Sequence, residues 1–223
     1  LGEGCPWDEA LLERVTSASI CCGFHAGGES TILPTLRAAK DRGVVVGAHP
    51  GYPDREGFGR REQAIATAEV ERLIREQVVA LAAMADRVGV PICFLKPHGA
   101  LYNQAQRDEA VAAGVIAAAS ALGLPVLGLP GGQVEALAGT TGVRFLAEGF
   151  ADRRYRADGQ LVPRTEPDAL LHDPAEIEAQ VLRLVGRGID TLCLHGDNPD
   201  SIRLADLIRS ALNRAGITAR SVL

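Results

Sequence analysis

Ile92-Cys93-Phe94-Leu95-Lys96-Pro97-His98-Gly99-Ala100-Leu101-Tyr102-Asn103 is the stretch whose reading decides the fold. A short apolar run stops abruptly at a lysine and a histidine. The run reads as a buried strand. Lys96 and His98 lie i, i+2 at its end, so an extended backbone points both side chains to one face. Such a pair can hold an anionic or carbonyl-bearing ligand. It can equally be a strand cap with a hydrogen-bonded histidine, and the stretch alone leaves both readings open.

The same pattern recurs. Apolar runs over residues 17–24, 44–48, 92–95, 125–129, 143–147 and 191–194 predict strands, with a short final one at 217–222. Helical patterns fill the intervals at 8–15, 29–42, 67–88, 108–122, 133–138, 174–185 and 201–215. Asp8 is the expected N-cap of the first. Gly43 and Gly123 close two others. The helix at 67–88 carries a face of Val70, Leu73, Ile74, Gln77, Leu81 and Met84. Strands alternating with helices imply parallel strands covered by helices. The expected architecture is a single (β/α)-barrel domain over residues 1–223, or a near-barrel, with an open doubly wound sheet as the alternative.

Composition agrees. The chain has 223 residues, 47% of them hydrophobic but only 4% aromatic, with 25 glycines, which favours helices packed tightly on strands over a β-sandwich. A net charge of −5 argues against a nucleic-acid surface. No apolar run approaches the roughly 18 residues of a membrane span. Five cysteines, odd in number and without the spacing of a zinc knuckle, read as free thiols in a reducing cytoplasm. The chain opens at Leu1 without a methionine, and an upstream segment bearing a further strand is expected.

The functional signal is positional. His25, His49, His98 and His195 each end an apolar run and are each followed within two residues by glycine. In a parallel α/β fold the strand C-termini share one face, and that face carries the site. Four histidines at equivalent places are therefore expected to converge. Lys96, Glu148, Asp152, Arg153, Asp197, Asn198, Asp54 and Arg60 join the same rim, with Glu3 a further candidate. His172, in a polar run before a helix, reads as a surface residue. The mix suits proton transfer, and histidine with carboxylate also suits a divalent metal. Neither a P-loop nor a Gly-x-Ser-x-Gly elbow occurs.

Several stretches are long and unusual enough to carry a resemblance. Cys22-Gly23-Phe24-His25-Ala26-Gly27, Gly47-Ala48-His49-Pro50-Gly51-Tyr52-Pro53-Asp54, Gly57-Phe58-Gly59-Arg60-Arg61, Lys96 to Asn103, Glu148 to Tyr155, and His195-Gly196-Asp197-Asn198-Pro199 resemble the LamB/YcsF family. The resemblance covers nearly the whole chain. It implies a distorted, seven-stranded barrel of the glycoside hydrolase/deacetylase type. It also implies ATP-dependent opening of the 5-oxoproline lactam to glutamate, with this chain as the A component of a 5-oxoprolinase that also has B and C subunits. Family sequences usually place an acidic strand before the segment that here is Leu1-Gly2-Glu3, and Ser19 and Gly28 stand where asparagine and aspartate are common.

On that reading the catalytic candidates are His25, His49, Lys96, His98, Asp152, His195 and Asp197. The substrate-binding candidates are Lys96, Tyr102, Asn103, Glu148, Arg153, Asn198, Asp54 and Arg60. ATP is expected to be handled with the partner subunits, and a divalent metal would draw on His25 and His49. The expected setting is cytoplasmic, with no nucleic-acid or membrane partner. The alternatives are a metal-dependent deacetylase or carbohydrate hydrolase, or a ligand-binding subunit without turnover.

Overall fold

Six strands form in the computed structural model, which describes residues 1–164, 166–221 and 223. They are β1 (Ser17–Cys21), β2 (Val45–His49), β3 (Ile92–Leu95), β4 (Val126–Gly128), β5 (Phe145–Phe150) and β6 (Thr191–Cys193). Every neighbouring pair is parallel, and the spatial order is β1-β2-β3-β4-β5-β6. A doubly wound sheet reverses its strand order at a switch point. This sheet does not, so it curls in one sense as a barrel wall does. Leu1 lies on the outer edge of β1 in the parallel pattern: its nitrogen donates to the Ser19 carbonyl at 2.8 Å and its carbonyl accepts from Cys21 N at 2.9 Å. The Trp7 indole N–H donates to the Gly196 carbonyl beyond β6. The segment before β1 thus links the two ends of the curled sheet.

Eight helices accompany the strands among the described residues: α1 (Asp8–Leu12), α2 (Glu29–Asp41), α3 (Thr67–Asp86), α4 (Gly99–Ala105), α5 (Glu109–Leu122), α6 (Gln133–Thr141), α7 (Pro174–Gly186) and α8 (Ser201–Arg214). The face of α3 seen in the sequence is buried at Val70, Leu73, Ile74, Gln77 and Leu81, joined by Val78 and Ala85. Met84 is only partly buried at its edge. Each fully buried leucine or isoleucine of such a face contributes roughly 1.5–3 kcal/mol. Asp108 caps α5, accepting from Ala110 N and Val111 N, and Gly123 closes that helix in the left-handed conformation.

Two local expectations are corrected, and one helix is new. Asp8 is not an N-cap; Trp7 holds that position without a side-chain bond. The Asp8 carboxylate is instead buried, accepting from Gly2 N at 2.6 Å and from Thr35 Oγ1 at 3.4 Å, because α1 packs on α2. Residues 217–221 form no strand: Ile217 packs beside α7 and α8, and 218–220 are exposed. Val222 lies outside the described residues. The new helix is α4, which follows His98 directly and buries Ala100, Leu101, Tyr102 and Ala105. Among the described residues no helix is long and apolar enough to cross a membrane. All five cysteines are free.

Candidate functional site

Three of the four strand-end histidines meet. The rings of His25 and His98 stack with centroids 3.8 Å apart and planes within 4°. His49 stands edge-on to both, at 4.9 Å from His98 and 5.9 Å from His25. His25 is 1% exposed, so its environment is set by protein atoms alone. Their hydrogen bonds dictate the tautomers. His49 Nδ1 lies 2.7 Å from the Lys96 carbonyl, which only accepts, so Nδ1 carries the proton. His98 Nε2 lies 2.8 Å from the Phe58 carbonyl and is protonated for the same reason. His25 Nε2 donates to Glu3 Oε1 at 3.2 Å. Burial pushes the His98 imidazole down to about 3, and the neighbouring His25 adds to it. Burial likewise holds His49 well below its ordinary range.

The loop at 52–61 exists in a conformation that serves this cluster. Phe58 adopts a left-handed backbone, φ 55°, an unusual state for a bulky residue, and this carries the carbonyl that receives His98. Gly59 follows at φ 64°, and a Cβ there would stand 3.0 Å from both His25 Cβ and His98 Cδ2. Glutamines on helices hold the strand ends. Gln77 of α3 accepts from Gly51 N at 3.1 Å and donates to Gly51 O at 2.6 Å. Gln180 of α7 donates to the carbonyls of Phe150 and Arg153, each at 2.7 Å. In the sequence Gln77 is a polar interruption of an apolar face; in the structure it has two backbone partners in a buried place.

Lys96 and Glu148 form a buried ion pair, Nζ to Oε1 2.6 Å. Cys193 Sγ lies 3.0 Å from the same Nζ. Burial works against the ammonium, and the Cys193 and Glu148 partners overcome it, so the lysine pKa is raised. Burial pushes the Cys193 thiol up to about 12. Phe150 offers its ring face 5.1 Å from Nζ, and Tyr102 at 5.9 Å.

The fourth histidine stands apart from the other three. His195 packs on the Phe150 ring at 5.5 Å, and its Nδ1 lies 3.1 Å from Asp152 Oδ2. That carboxylate accepts the Nδ1 proton and leaves Nε2 with a lone pair. Burial lowers the His195 pKa against the opposing pull of Asp152. Beyond it, Asp197 pairs with Arg60 and, at 3.1 Å, with Arg164. Burial would raise the Asp197 carboxyl, but Arg164, His195 and Arg60 bring it down to about 2. Arg153 is buried. Its Nη2 donates to the Val162 carbonyl at 2.6 Å, while Nε has no hydrogen-bond partner among the described residues.

A cavity of about 950 Å³ joins these groups, running from the rim through the interior and out between β1 and β6. Glu3, His49, Lys96, His98, Tyr102, Asn103, Glu148, Arg153, His195, Asp197 and Arg60 all line it. His25 and Asp152 sit directly behind, each bonded to a lining residue. Two predicted residues are placed elsewhere. Asp54 turns into its own loop, accepting from Gly57 N at 3.0 Å and facing Arg61. Asn198 accepts from Asp200 N at the start of α8. His172 is exposed, as expected. Sequence reasoning missed Arg164 and Cys193. Arg164 sits in an irregular stretch with no periodic signal, and Cys193 reads as one more apolar strand residue.

Comparison with known proteins follows the same contour. The LamB/YcsF family model matches residues 1–223. A Methylococcus capsulatus protein, named as the A subunit of 5-oxoprolinase, is 46% identical over 95% of this chain and 89% of its own length. A Paracidovorax citrulli protein of the same name is 44% identical over 96% and 91%. The crystal structure of a lactam utilization protein from Thermus thermophilus superposes with a TM-score of 0.87 at 39% identity, covering 96% of this chain and 92% of that one. With a full-length family match, close relatives and a shared curled barrel wall, this chain belongs to the LamB/YcsF family.

Proposed function

We propose that this protein is the A component of a 5-oxoprolinase, opening the 5-oxoproline lactam to glutamate in an ATP-coupled reaction with partner subunits B and C. The names of its relatives support the substrate class. The observation that carries the chemistry is the His195–Asp152 pair on the same cavity as the orphaned Arg153 Nε. 5-Oxoproline carries one carboxylate and one cyclic amide. A buried guanidinium donor without an acceptor is costly to leave unpaired and suits a carboxylate. Arg153 anchors the substrate there, with the Phe150 and Tyr102 rings against the apolar part of the lactam.

Hydrolysis adds water across the lactam C–N bond. The water oxygen ends on the new carboxylate, and one proton ends on the released amine. His195 Nε2 takes a proton from the attacking water, and Asp152 holds the ring and stabilises the imidazolium. The same Nε2 then returns the proton to the leaving nitrogen. Lys96, already charged and fixed by Glu148, stabilises negative charge developing on the lactam oxygen. The ATP-dependent activation of the lactam falls to the partner subunits, and the complex works in the cytoplasm.

The test is glutamate release from 5-oxoproline by the complex assembled with B and C subunits, with and without ATP. The expected result is turnover only with ATP and all three components. Equal turnover by the partners without this chain would overturn the reading.

A further inference from the structure

The tautomers of His49 and His98 leave an unusual arrangement. His49 Nδ1–H is committed to the Lys96 carbonyl and His98 Nε2–H to the Phe58 carbonyl. The remaining nitrogens, His49 Nε2 and His98 Nδ1, lie 3.1 Å apart. Both are then lone-pair atoms aimed at each other, so neither neutral ring can donate to its neighbour. A Glu3 carboxylate oxygen joins them, with all three ligand atoms within 4.8 Å of one another. All three residues line the cavity. We propose that Glu3, His49 and His98 bind one divalent transition-metal ion of zinc-like preference.

The geometry is close to what such an ion needs. Zinc binds imidazole nitrogen at about 2.1 Å, so two nitrogens 3.1 Å apart subtend an angle of roughly 95° at one ion. That lies between octahedral and tetrahedral values. Two ligands of a tetrahedral ion stand about 3.4 Å apart, so the Glu3 carboxylate closes by up to about 1.4 Å, a side-chain adjustment. A mixed nitrogen and oxygen donor set selects a first-row transition ion over magnesium or calcium. The outer partners are of the kind that metal-bound histidines use: backbone carbonyls fix both rings, and His25 Nε2 orients Glu3. His25 stacks on His98 and supports the site from outside its ligand set. Three protein ligands leave a position open to the cavity, the pattern of catalytic sites. The left-handed Phe58 is the local strain that aims its carbonyl at His98.

This inference does not rest on the proposed lactam chemistry, and its test uses neither substrate nor partner subunits. The full chain is stripped with a chelator, dialysed, and titrated with Zn²⁺ and Co²⁺, followed by calorimetry and by ligand-field absorption of the cobalt form. The expected result is one equivalent bound per chain. His98→Asn and His49→Asn each weaken it by at least about 100-fold, more than loss of an outer partner costs. Glu3→Gln weakens it less and alters the cobalt spectrum. Circular dichroism and thermal melting report whether each variant is folded, and His195→Gln is expected to bind the ion as the wild type does. Absence of stoichiometric binding in the wild type, the result if the two rings share a proton instead, overturns the proposal. Undiminished binding by folded His98→Asn and His49→Asn overturns it too.

Discussion

Lys96 Nζ lies 2.6 Å from Glu148 Oε1, and both side chains are buried, Lys96 just past the end of β3 and Glu148 within β5, two strands away in the curled sheet. Each charge neutralises the other where water cannot. Removing one partner leaves the other charged and unpaired, which costs about 3–5 kcal/mol. Lys96→Met is expected to lose stability on that scale in urea unfolding. The double variant Lys96→Met/Glu148→Leu is expected to regain much of it. Equal losses in the single and double variants would show that the pairing is not what holds Glu148.

The His195–Asp152 pair makes a kinetic prediction. His195→Gln is expected to lower kcat by about 10²–10⁴-fold in the assembled complex with KM little changed, the range of a lost general acid–base group. Because burial lowers the His195 pKa, the wild-type acid limb of kcat/KM is expected below the ordinary histidine value of about 6.5. An acid limb above that value would contradict a base held neutral by burial.

His98→Ala is expected to abolish ATP-dependent 5-oxoproline turnover while circular dichroism stays native, since the ring sits at the cavity wall and outside the large apolar clusters. Near-wild-type turnover would remove this histidine from the machinery.

Gln77 satisfies both the N–H and the carbonyl of Gly51 in a buried place. Gln77→Leu keeps the bulk and strands both groups, each costing about 1–3 kcal/mol. Thermal unfolding is expected to show a clear loss, with activity falling further because the turn carries His49 toward its neighbours. A neutral substitution would mean that water replaces the amide.

The Asp197 carboxyl sits at about 2 in the folded chain against an ordinary value near 3.8. The unfolded chain binds that proton first on acidification, so the stability Asp197 gives is complete above about pH 4 and disappears as pH falls toward about 2. Asp197→Asn is expected to be less stable than wild type at about pH 6 and to converge with it near pH 2, measured by denaturant midpoints. A constant gap across that range would rule out the charge as the source.

Much of this was legible in the sequence. Short continuous apolar runs and period-3.6 patterning located all six strands and seven of the eight helices, because strands buried on both faces read as apolar runs and helices buried on one face impose the helical spacing. The exception, α4, is seven residues long and follows His98 at once, too short to show a period. The rim histidines were legible because strand polarity puts every strand end on one face. Strand polarity carries no information about distance. It predicted four histidines in one place, whereas three meet and His195 stands with Asp152.

For Lys96 and His98, sequence alone determined that they end a buried strand, point to one face and share a rim with other strand-end groups, because these follow from local backbone geometry and strand direction. Only the tertiary structure decided their partners. Glu148 and Cys193 reach Lys96 from β5 and β6, while Phe58, His49 and His25 surround His98 from loops and strands far apart in sequence. Partner choice sets charge and tautomer, and it depends on distances between segments that no local pattern encodes.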